Sequence, residues 1–73
     1  MRKTFELENL ECANCAAKME RDISAFHEVK KCTITIMTIR MSITVEDAAD
    51  LEDVLDRAQK IMKSYEKDCT IVR

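Results

Sequence analysis

The chain has 73 residues, of which 36% are charged and 47% hydrophobic, and it contains four Cys but no Gly and no Pro. This balance excludes a disordered tail, and no apolar run approaches the roughly 18 residues that a membrane span needs. The net charge of -2 argues against a nucleic-acid surface, and the absence of Gly excludes a Gly-rich phosphate loop.

A strand and a helix are the first elements predicted along the chain. Phe5 and Leu7 alternate with polar residues, which is typical of a half-buried strand. The alternation stops over residues 9–14. From Cys15 onward, apolar residues recur three or four positions apart and predict one face of a helix that ends within residues 24–28. That face comprises Ala16, Met19, Ile23 and Phe26.

Two strands, a second helix and a last strand follow. Residues 32–36 and 41–45 alternate cleanly between apolar and polar, so they predict a β-hairpin whose loop is residues 37–40. Asp47 is the predicted N-cap of a four-turn amphipathic helix. Residues 69–72 form the last short strand.

The predicted order is therefore β-α-β-β-α-β. Right-handed crossovers fold this order into an α+β, ferredoxin-like sandwich, with a four-stranded antiparallel sheet and two helices on one face. We expect residues 1–73 to form one domain. The topology brings together the loop of Cys12 and Cys15, the hairpin tip at 37–40 and the turn at 65–69, and it places residues 24–28 at the opposite end.

Cys12 and Cys15 form a Cys-x-x-Cys pair at the start of the first helix. The unpaired N–H groups and positive end of the helix lower the thiol pKa and favour the thiolate, which is both a nucleophile and a metal ligand. Two thiolates can hold one soft ion but cannot close a tetrahedral shell. An incomplete shell suits an ion that must be received and then passed to a partner with exposed thiolates.

A thiol–disulfide redox site is the competing interpretation of this pair. Such sites usually place a cis-Pro opposite the Cys pair, and this chain has no Pro. The basic start, Met1-Arg2-Lys3, is not followed by an apolar segment, so no secretory signal is predicted and a cytoplasmic location is expected. In that compartment a Cys-x-x-Cys pair is more often a metal or redox site than a structural bridge.

Residues 4–65 resemble the heavy-metal-associated domain. The matching stretches are LENLECANCAAKME at 7–20, VxxCxIxI at 29–36, MxIxV at 41–45 and IxxxY at 61–65. The CANCAAK stretch is most similar to the N-terminal domain of cadmium- and zinc-exporting P-type ATPases. The resemblance implies a non-enzymatic module that binds a metal ion through Cys12 and Cys15. It would deliver the ion to, or regulate, a transport domain of the same or another chain.

Other features of this family are absent from the chain. Four positions where the family has Gly carry other residues here: Asn9, Glu28, Ile39 and Ser64. These replacements affect the expected geometry of the loops and leave the Cys pair intact.

Glu11 is the candidate third ligand. Copper-binding members of the family usually have Thr before the first Cys, whereas this chain has Glu11. Two thiolates and one carboxylate give a net charge of -1 with a divalent ion and -2 with Cu(I), and a carboxylate suits Zn(II) better than Cu(I). We therefore expect one soft divalent ion, Zn, Cd or Pb, with Cu(I) as the alternative. The opposing interpretation of Glu11 is a solvated acid.

The remaining candidates are weaker. Cys69 opens the last strand near the site end and is a candidate auxiliary ligand, although a strand Cys that faces the core with Ile71 is the favoured interpretation. Glu66 and Asp68 lie in the same turn and could reach a metal, but exposed acids there need no explanation. Cys32 is in phase with the core. His27 lies at the far end of the first helix, about 15 Å from the pair, and is rejected as a ligand.

Several functions remain open on the sequence alone. The chain is predicted to be part of a metal-exporting ATPase system or a free-standing metallochaperone, including a Cu(I) carrier. A thiol oxidoreductase is the alternative from another class. A nucleic-acid binder of the same fold would need a basic and aromatic strand pattern that is missing here. We expect a monomer or a metal-bridged dimer, with no membrane insertion of this segment.

Overall fold

The computed structural model describes residues 1–73 and contains the six predicted elements in the predicted order. The strands are β1 (Arg2–Glu8), β2 (Val29–Thr35), β3 (Arg40–Val45) and β4 (Thr70–Val72). The helices are α1 (Ala13–Ser24) and α2 (Leu51–Tyr65), the second preceded by a 3₁₀ turn at Ala48–Asp50.

The four strands form one antiparallel sheet in the order β2-β3-β1-β4. Burial alternates along β2 and β3, so that one face of the sheet is covered and the other faces solvent. The two helices pack on each other, with α1 against β2 and α2 against β4. The ferredoxin-like βαββαβ arrangement predicted from the sequence is confirmed.

Seventeen residues form the core, and no polar or charged side chain is among them. Cys32 lies in this core, as its alternation with Ile34 predicted. Leu10, which precedes the Cys pair in the chain, is 2% exposed and belongs to the same core. No helix is both long enough and apolar enough to cross a membrane.

Both edges of the sheet are partly covered by side chains from the helices. Glu20 of α1 accepts a hydrogen bond from the Ile34 N–H of β2 at 2.8 Å. Gln59 of α2 donates to the Cys69 carbonyl and accepts from the Ile71 N–H, both at 2.8 Å. These side chains pair with backbone N–H and C=O groups at the sheet edges that would otherwise be free to bond to another strand. They thereby shield the edges from pairing with another chain.

Three predicted boundaries differ from the structure. Helix α1 begins at Ala13 rather than at Cys15, because Cys12 already acts as its N-cap. The hairpin loop is one residue earlier than predicted, since β3 already includes Arg40. The carboxylate of Asp47 accepts from the Ala49 N–H at 2.9 Å, so it caps the 3₁₀ turn that leads into α2 rather than α2 itself.

Two of the four positions where the family has Gly adopt a left-handed backbone. Asn9 has φ 61° and Ile39 has φ 53°, whereas Glu28 and Ser64 are outside this region. Asn tolerates the left-handed conformation, but a β-branched residue does so only under strain. The Ile39 carbonyl accepts from the Leu7 N–H at 2.9 Å, which attaches the hairpin to the end of β1.

The end of the molecule opposite the Cys pair contains a cluster of charged and aromatic side chains. The Arg57 guanidinium of α2 pairs with Glu28 and lies 3.1 Å from Asp53. It also covers the Phe26 ring, with 4.6 Å from Cζ to the ring centroid. His27 is 3.2 Å from Glu28 and lies at this end, as the topology predicted.

Candidate metal centre

The start of α1 fixes the position of both thiols. Cys12 has an extended backbone, with φ -102° and ψ 112°, and its Sγ accepts a hydrogen bond from the Cys15 N–H at 3.1 Å. A Ser, Thr, Asp or Asn oxygen usually fills this capping role, and here sulfur does. The Cys12 carbonyl also accepts from the Ala16 N–H at 3.0 Å. The pair is therefore built into the first turn of the helix.

The two thiols differ in acidity because of their mutual contact. Hydrogen bonds from the Cys15 thiol and from its backbone N–H lower the pKa of Cys12. The same contact raises the pKa of Cys15, and burial adds to that increase. Cys12 is therefore the first of the two to become a thiolate, which is the form that binds a metal. Both side chains are half-buried, so an ion or a partner can still reach them.

Glu66 is the acid that the fold brings to the pair. One carboxylate oxygen of Glu66 and the Sγ atoms of Cys12 and Cys15 all lie within 4.8 Å of one another. Two sulfur ligands of a tetrahedral zinc site are about 3.8 Å apart, so the three atoms need to move only about 1 Å to share one ion.

The Glu66 carboxylate has no basic partner in the chain. It forms no ion pair with any Lys, Arg or His. Its Oε2 instead accepts from the Glu11 N–H at 3.1 Å. Its charge also raises the pKa of Cys15, after the stronger contributions of the Cys12 hydrogen bond and burial. Lys67 lines the same shallow pocket as Glu66 without pairing with it, so the carboxylate has no ion-pair partner, which favours a cation.

Glu11, the predicted third ligand, lies beside this group without being part of it. Its side chain is exposed, and its backbone N–H is what contacts Glu66. Both acids line a shallow pocket of about 240 Å³ beside the Cys pair. The sequence placed Glu66 at this end and within reach of a metal, but it was not chosen as a ligand because an exposed acid in a turn is common. The topological signal was available, since this turn meets the Cys loop.

Cys69 lies in the core and outside the three-ligand group. Its side chain is fully buried, and burial raises the pKa of its thiol. Its backbone has a clear structural role, because its N–H donates to the Glu66 carbonyl at 3.0 Å. Burial also raises the pKa of Cys32 to about 12, so that thiol stays protonated. The structure therefore exposes two of the four Cys toward a ligand.

The hairpin tip borders the same end of the molecule. Met37 is 91% exposed and Ile39 is 36% exposed, as expected for a loop that joins the two strands of a hairpin. The contact between Ile39 and Leu7 places this tip beside the exit of β1, from which the Cys loop continues.

These observations define a class of protein. A ferredoxin-like sandwich with two thiols at the start of its first helix, and with a carboxylate beside them, is a small metal-binding module. A sequence model of the heavy-metal-associated domain matches residues 4–66. The chain belongs to the heavy-metal-associated domain family, and it offers Cys12 and Cys15 as ligands for a heavy metal.

Known proteins agree with this membership. The chain is 36% identical over 50 residues to the cadmium, zinc and cobalt-transporting ATPase of Helicobacter pylori. That match covers 68% of the chain and 7% of the ATPase, so the chain corresponds to a small part of that protein.

Solved structures share the fold at low identity. The CsoZ metallochaperone superposes with a TM-score of 0.74 at 18% identity, covering 100% of this chain and 97% of that one. The CopZ metallochaperone superposes with a TM-score of 0.71 at 11% identity, covering 99% of this chain and 100% of that one. The yeast copper transporter domain Ccc2a superposes with a TM-score of 0.71 at 21% identity, covering 99% of this chain and 94% of that one. At these identities the likeness supports the fold alone.

Proposed function

We propose that the chain binds one soft divalent cation, Zn(II), Cd(II) or Pb(II), through Cys12, Cys15 and Glu66. In this proposal it passes the ion to, or regulates, the transport domain of a heavy-metal-translocating P-type ATPase. The observation that carries the proposal is the carboxylate of Glu66, which lies within 4.8 Å of both thiol sulfurs.

The charge of the ligand set favours a divalent ion over Cu(I). Two thiolates and one carboxylate carry three negative charges, so a divalent ion leaves a net charge of -1 and Cu(I) leaves -2. The larger uncompensated charge is more costly in a half-buried site. A carboxylate oxygen is also a harder ligand than a thiolate, and it suits Zn(II) better than Cu(I).

Transfer is supported by the openness of the ligand set. Three ligands leave a fourth position of a tetrahedral ion free, and a thiolate of a partner can occupy it before the first ligands leave. The half-burial of Cys12 and Cys15 keeps that position accessible. Similarity to the Helicobacter pylori ATPase supports the transport domain of such an ATPase as the partner.

A free-standing metallochaperone is the second candidate. The CopZ and CsoZ metallochaperones are covered over 97% or more of their length by this chain, so a domain of this size exists as a protein on its own. Reading the gene beyond the last codon of this sequence distinguishes the two: a continuing frame that encodes membrane-spanning helices supports the ATPase, and a stop codon supports the chaperone.

Competition titration of the reduced chain under anaerobic conditions tests the metal and the ligands together. We expect Glu66→Gln to weaken Cd(II) and Zn(II) binding by about tenfold or more, since even indirect partners of metal ligands contribute about 10–100-fold. Cu(I) binding should change much less. Tight binding of none of these ions would contradict the proposal.

Glu11→Gln is the matched control, because Glu11 borders the same pocket and only its backbone contacts Glu66. If Glu11→Gln weakens Cd(II) binding and Glu66→Gln does not, Glu11 is the third ligand. If neither variant changes the preference for divalent ions over Cu(I), the site consists of two thiolates only.

A further inference from the structure

The position of Glu66 depends on where the last turn of α2 lies. Glu66 follows Tyr65 directly and leaves the helix with an extended backbone, φ -131° and ψ 106°. Its N–H still donates to the Met62 carbonyl at 2.9 Å. The two thiols belong to the start of α1. The distance between the carboxylate and the thiols therefore depends on how the end of α2 is held against α1, together with the Glu11 N–H that donates to the carboxylate at 3.1 Å.

One side-chain hydrogen bond joins the two helices. The Tyr65 hydroxyl donates to Oδ2 of Asp22 on α1, and Oδ1 of Asp22 accepts from Nε of Arg21 at 3.3 Å. A hydroxyl donating to an ionised carboxylate makes a strong, charge-assisted hydrogen bond. Both side chains are half-buried, which limits competition from water.

The other contacts of this turn lead to the loop after β1 and back to α2. The Asn9 side chain donates to the Asp68 carbonyl at 3.1 Å, and Gln59 of α2 donates to the Cys69 carbonyl at 2.8 Å. They fix residues 68–69, which follow Glu66 in the chain, and the Glu11 N–H donates to the Glu66 carboxylate itself at 3.1 Å. On the helix side, the Tyr65–Asp22 hydrogen bond is what fixes the residue immediately before Glu66.

We propose that the Tyr65–Asp22 hydrogen bond positions Glu66 at the thiol pair and thereby sets the preference of the site for a divalent cation over Cu(I). The inference rests on the proposed function, in which Glu66 is the third ligand. Tyr65 is a positioning residue and not a ligand. Its hydroxyl contacts Asp22, which lies seven residues beyond Cys15, about 10 Å along α1.

The two kinds of ion respond differently to a loss of this contact. Soft thiolates alone suit Cu(I), so an imprecisely placed Glu66 costs Cu(I) little. A divalent ion needs the carboxylate for its charge and coordination. Tyr65→Phe removes the hydroxyl and keeps the ring, so we expect Cd(II) affinity to fall about 3–10-fold, at the lower edge of what supporting residues contribute. Cu(I) affinity should change less than twofold.

A double-mutant cycle separates positioning from general stability. Cd(II) and Cu(I) affinities are measured by anaerobic competition for the parent, Tyr65→Phe, Glu66→Gln and the double variant. If Tyr65 acts through Glu66, Tyr65→Phe has no further effect on Cd(II) in the Glu66→Gln background. Asp22→Asn retains a neutral acceptor for the hydroxyl, so its effect should be smaller than that of Tyr65→Phe.

Glu28→Gln is the destabilising control, because it weakens the ion pair with Arg57 at the opposite end. It should lower the Tm and leave the ratio of Cd(II) to Cu(I) affinity unchanged. If Tyr65→Phe lowers the affinities for Cd(II) and Cu(I) equally, or still lowers Cd(II) affinity in the Glu66→Gln background, the positioning role of Tyr65 is wrong. Glu66 can still be the third ligand in that case. A Glu66→Gln variant with unchanged Cd(II) affinity overturns the third ligand and the positioning role with it.

Discussion

The turn that follows α1 and the turn that follows α2 each contain a glutamate, and the two glutamates have different surroundings. Glu28, after α1, pairs with Arg57 and lies 3.2 Å from His27. Glu66, after α2, has no basic partner and faces two thiols. The chain neutralises the first acid itself and gives the second no ion-pair partner.

The comparison extends to the backbone of the two ends. Both left-handed residues, Asn9 and Ile39, lie in loops at the Cys end, and none lies in the turn that contains Glu28. The end with Glu28 is held by an ion pair and by stacking on Phe26. One end of the sandwich is thus arranged for stability, whereas the other keeps an acid without an ion-pair partner, two half-buried thiols and a strained hairpin. Unpaired and strained groups of this kind are typical of functional sites.

The largest expected effect is the loss of Cd(II) affinity when a thiol is removed, because the thiolates are the soft ligands of the proposed site. Structural zinc sites contribute about 10–16 kcal/mol for four ligands, or roughly 3 kcal/mol for each ligand, so Cys12→Ala should weaken Cd(II) binding by about 100-fold or more. Cys15→Ala should act similarly. Anaerobic titration measures both.

Cys32→Ala is the control for this pair of variants, because Cys32 is buried in the core. It should lower stability and leave the stoichiometry and affinity of Cd(II) unchanged. Tight Cd(II) binding by a Cys12→Ala, Cys15→Ala double variant would show that the ion binds elsewhere.

Removing Arg57 makes the two glutamates alike and gives the next largest effect. Arg57→Leu leaves Glu28 without its partner and removes the stacking on Phe26, which alone contributes about 0.5–1 kcal/mol. The free energy of unfolding should fall by at least this amount, measured by urea denaturation. Cd(II) affinity should stay unchanged, since the substitution lies at the opposite end. A large loss of affinity would show that the two ends are coupled.

Ile39→Gly tests the strain at the Cys end. A left-handed conformation costs an ordinary L-residue about 1–2 kcal/mol, and Gly adopts it without that cost. Ile39 has φ 53° and is 36% exposed, so removing its side chain also loses the burial of the remaining surface, which offsets part of the gain. We expect the free energy of unfolding to rise by less than about 1 kcal/mol.

Asn9→Gly is the comparison for this variant, and it should lower stability by about 0.5–1.5 kcal/mol, because Asn already tolerates φ > 0 and its hydrogen bond to the Asp68 carbonyl is lost. A destabilised Ile39→Gly variant would mean that the Ile39 side chain contributes more to packing than its backbone costs.

Sequence periodicity was sufficient for the architecture, because a small apolar core forces each strand and helix to bury one face. The alternation around Ile34 and Met41 and the stripe of α2 therefore gave the correct element types and order. The Cys pair could also be identified from the sequence, since its spacing and its place at a helix start are local features. The helix start at Ala13 was missed because a sulfur cap gives no standard N-cap signal.

The carboxylate beside the pair required tertiary information. Glu11 is adjacent to Cys12 in the chain, whereas Glu66 reaches the thiols only because α2 ends beside the start of α1. The topology predicted that these loops meet, but not which of several acids points inward. The Tyr65–Asp22 hydrogen bond spans 43 positions and has no sequence signature.

The smallest expected effect is the pH dependence of the end that contains Glu28. A hydrogen bond from its own backbone N–H and the pairing with Arg57 lower the pKa of Glu28 below its ordinary value of 4.5. The unfolded chain therefore binds more protons than the folded chain between these two pKa values. The stabilisation from Glu28 is complete above pH 4.5 and is lost as the pH falls through the lower, folded pKa. Glu28→Gln should lose less of its free energy of unfolding than the parent over this acidic range, measured by urea denaturation at each pH. Equal losses in both proteins would mean that other carboxylates account for the acid sensitivity, and the contrast between the two glutamates would then have no energetic consequence at this end.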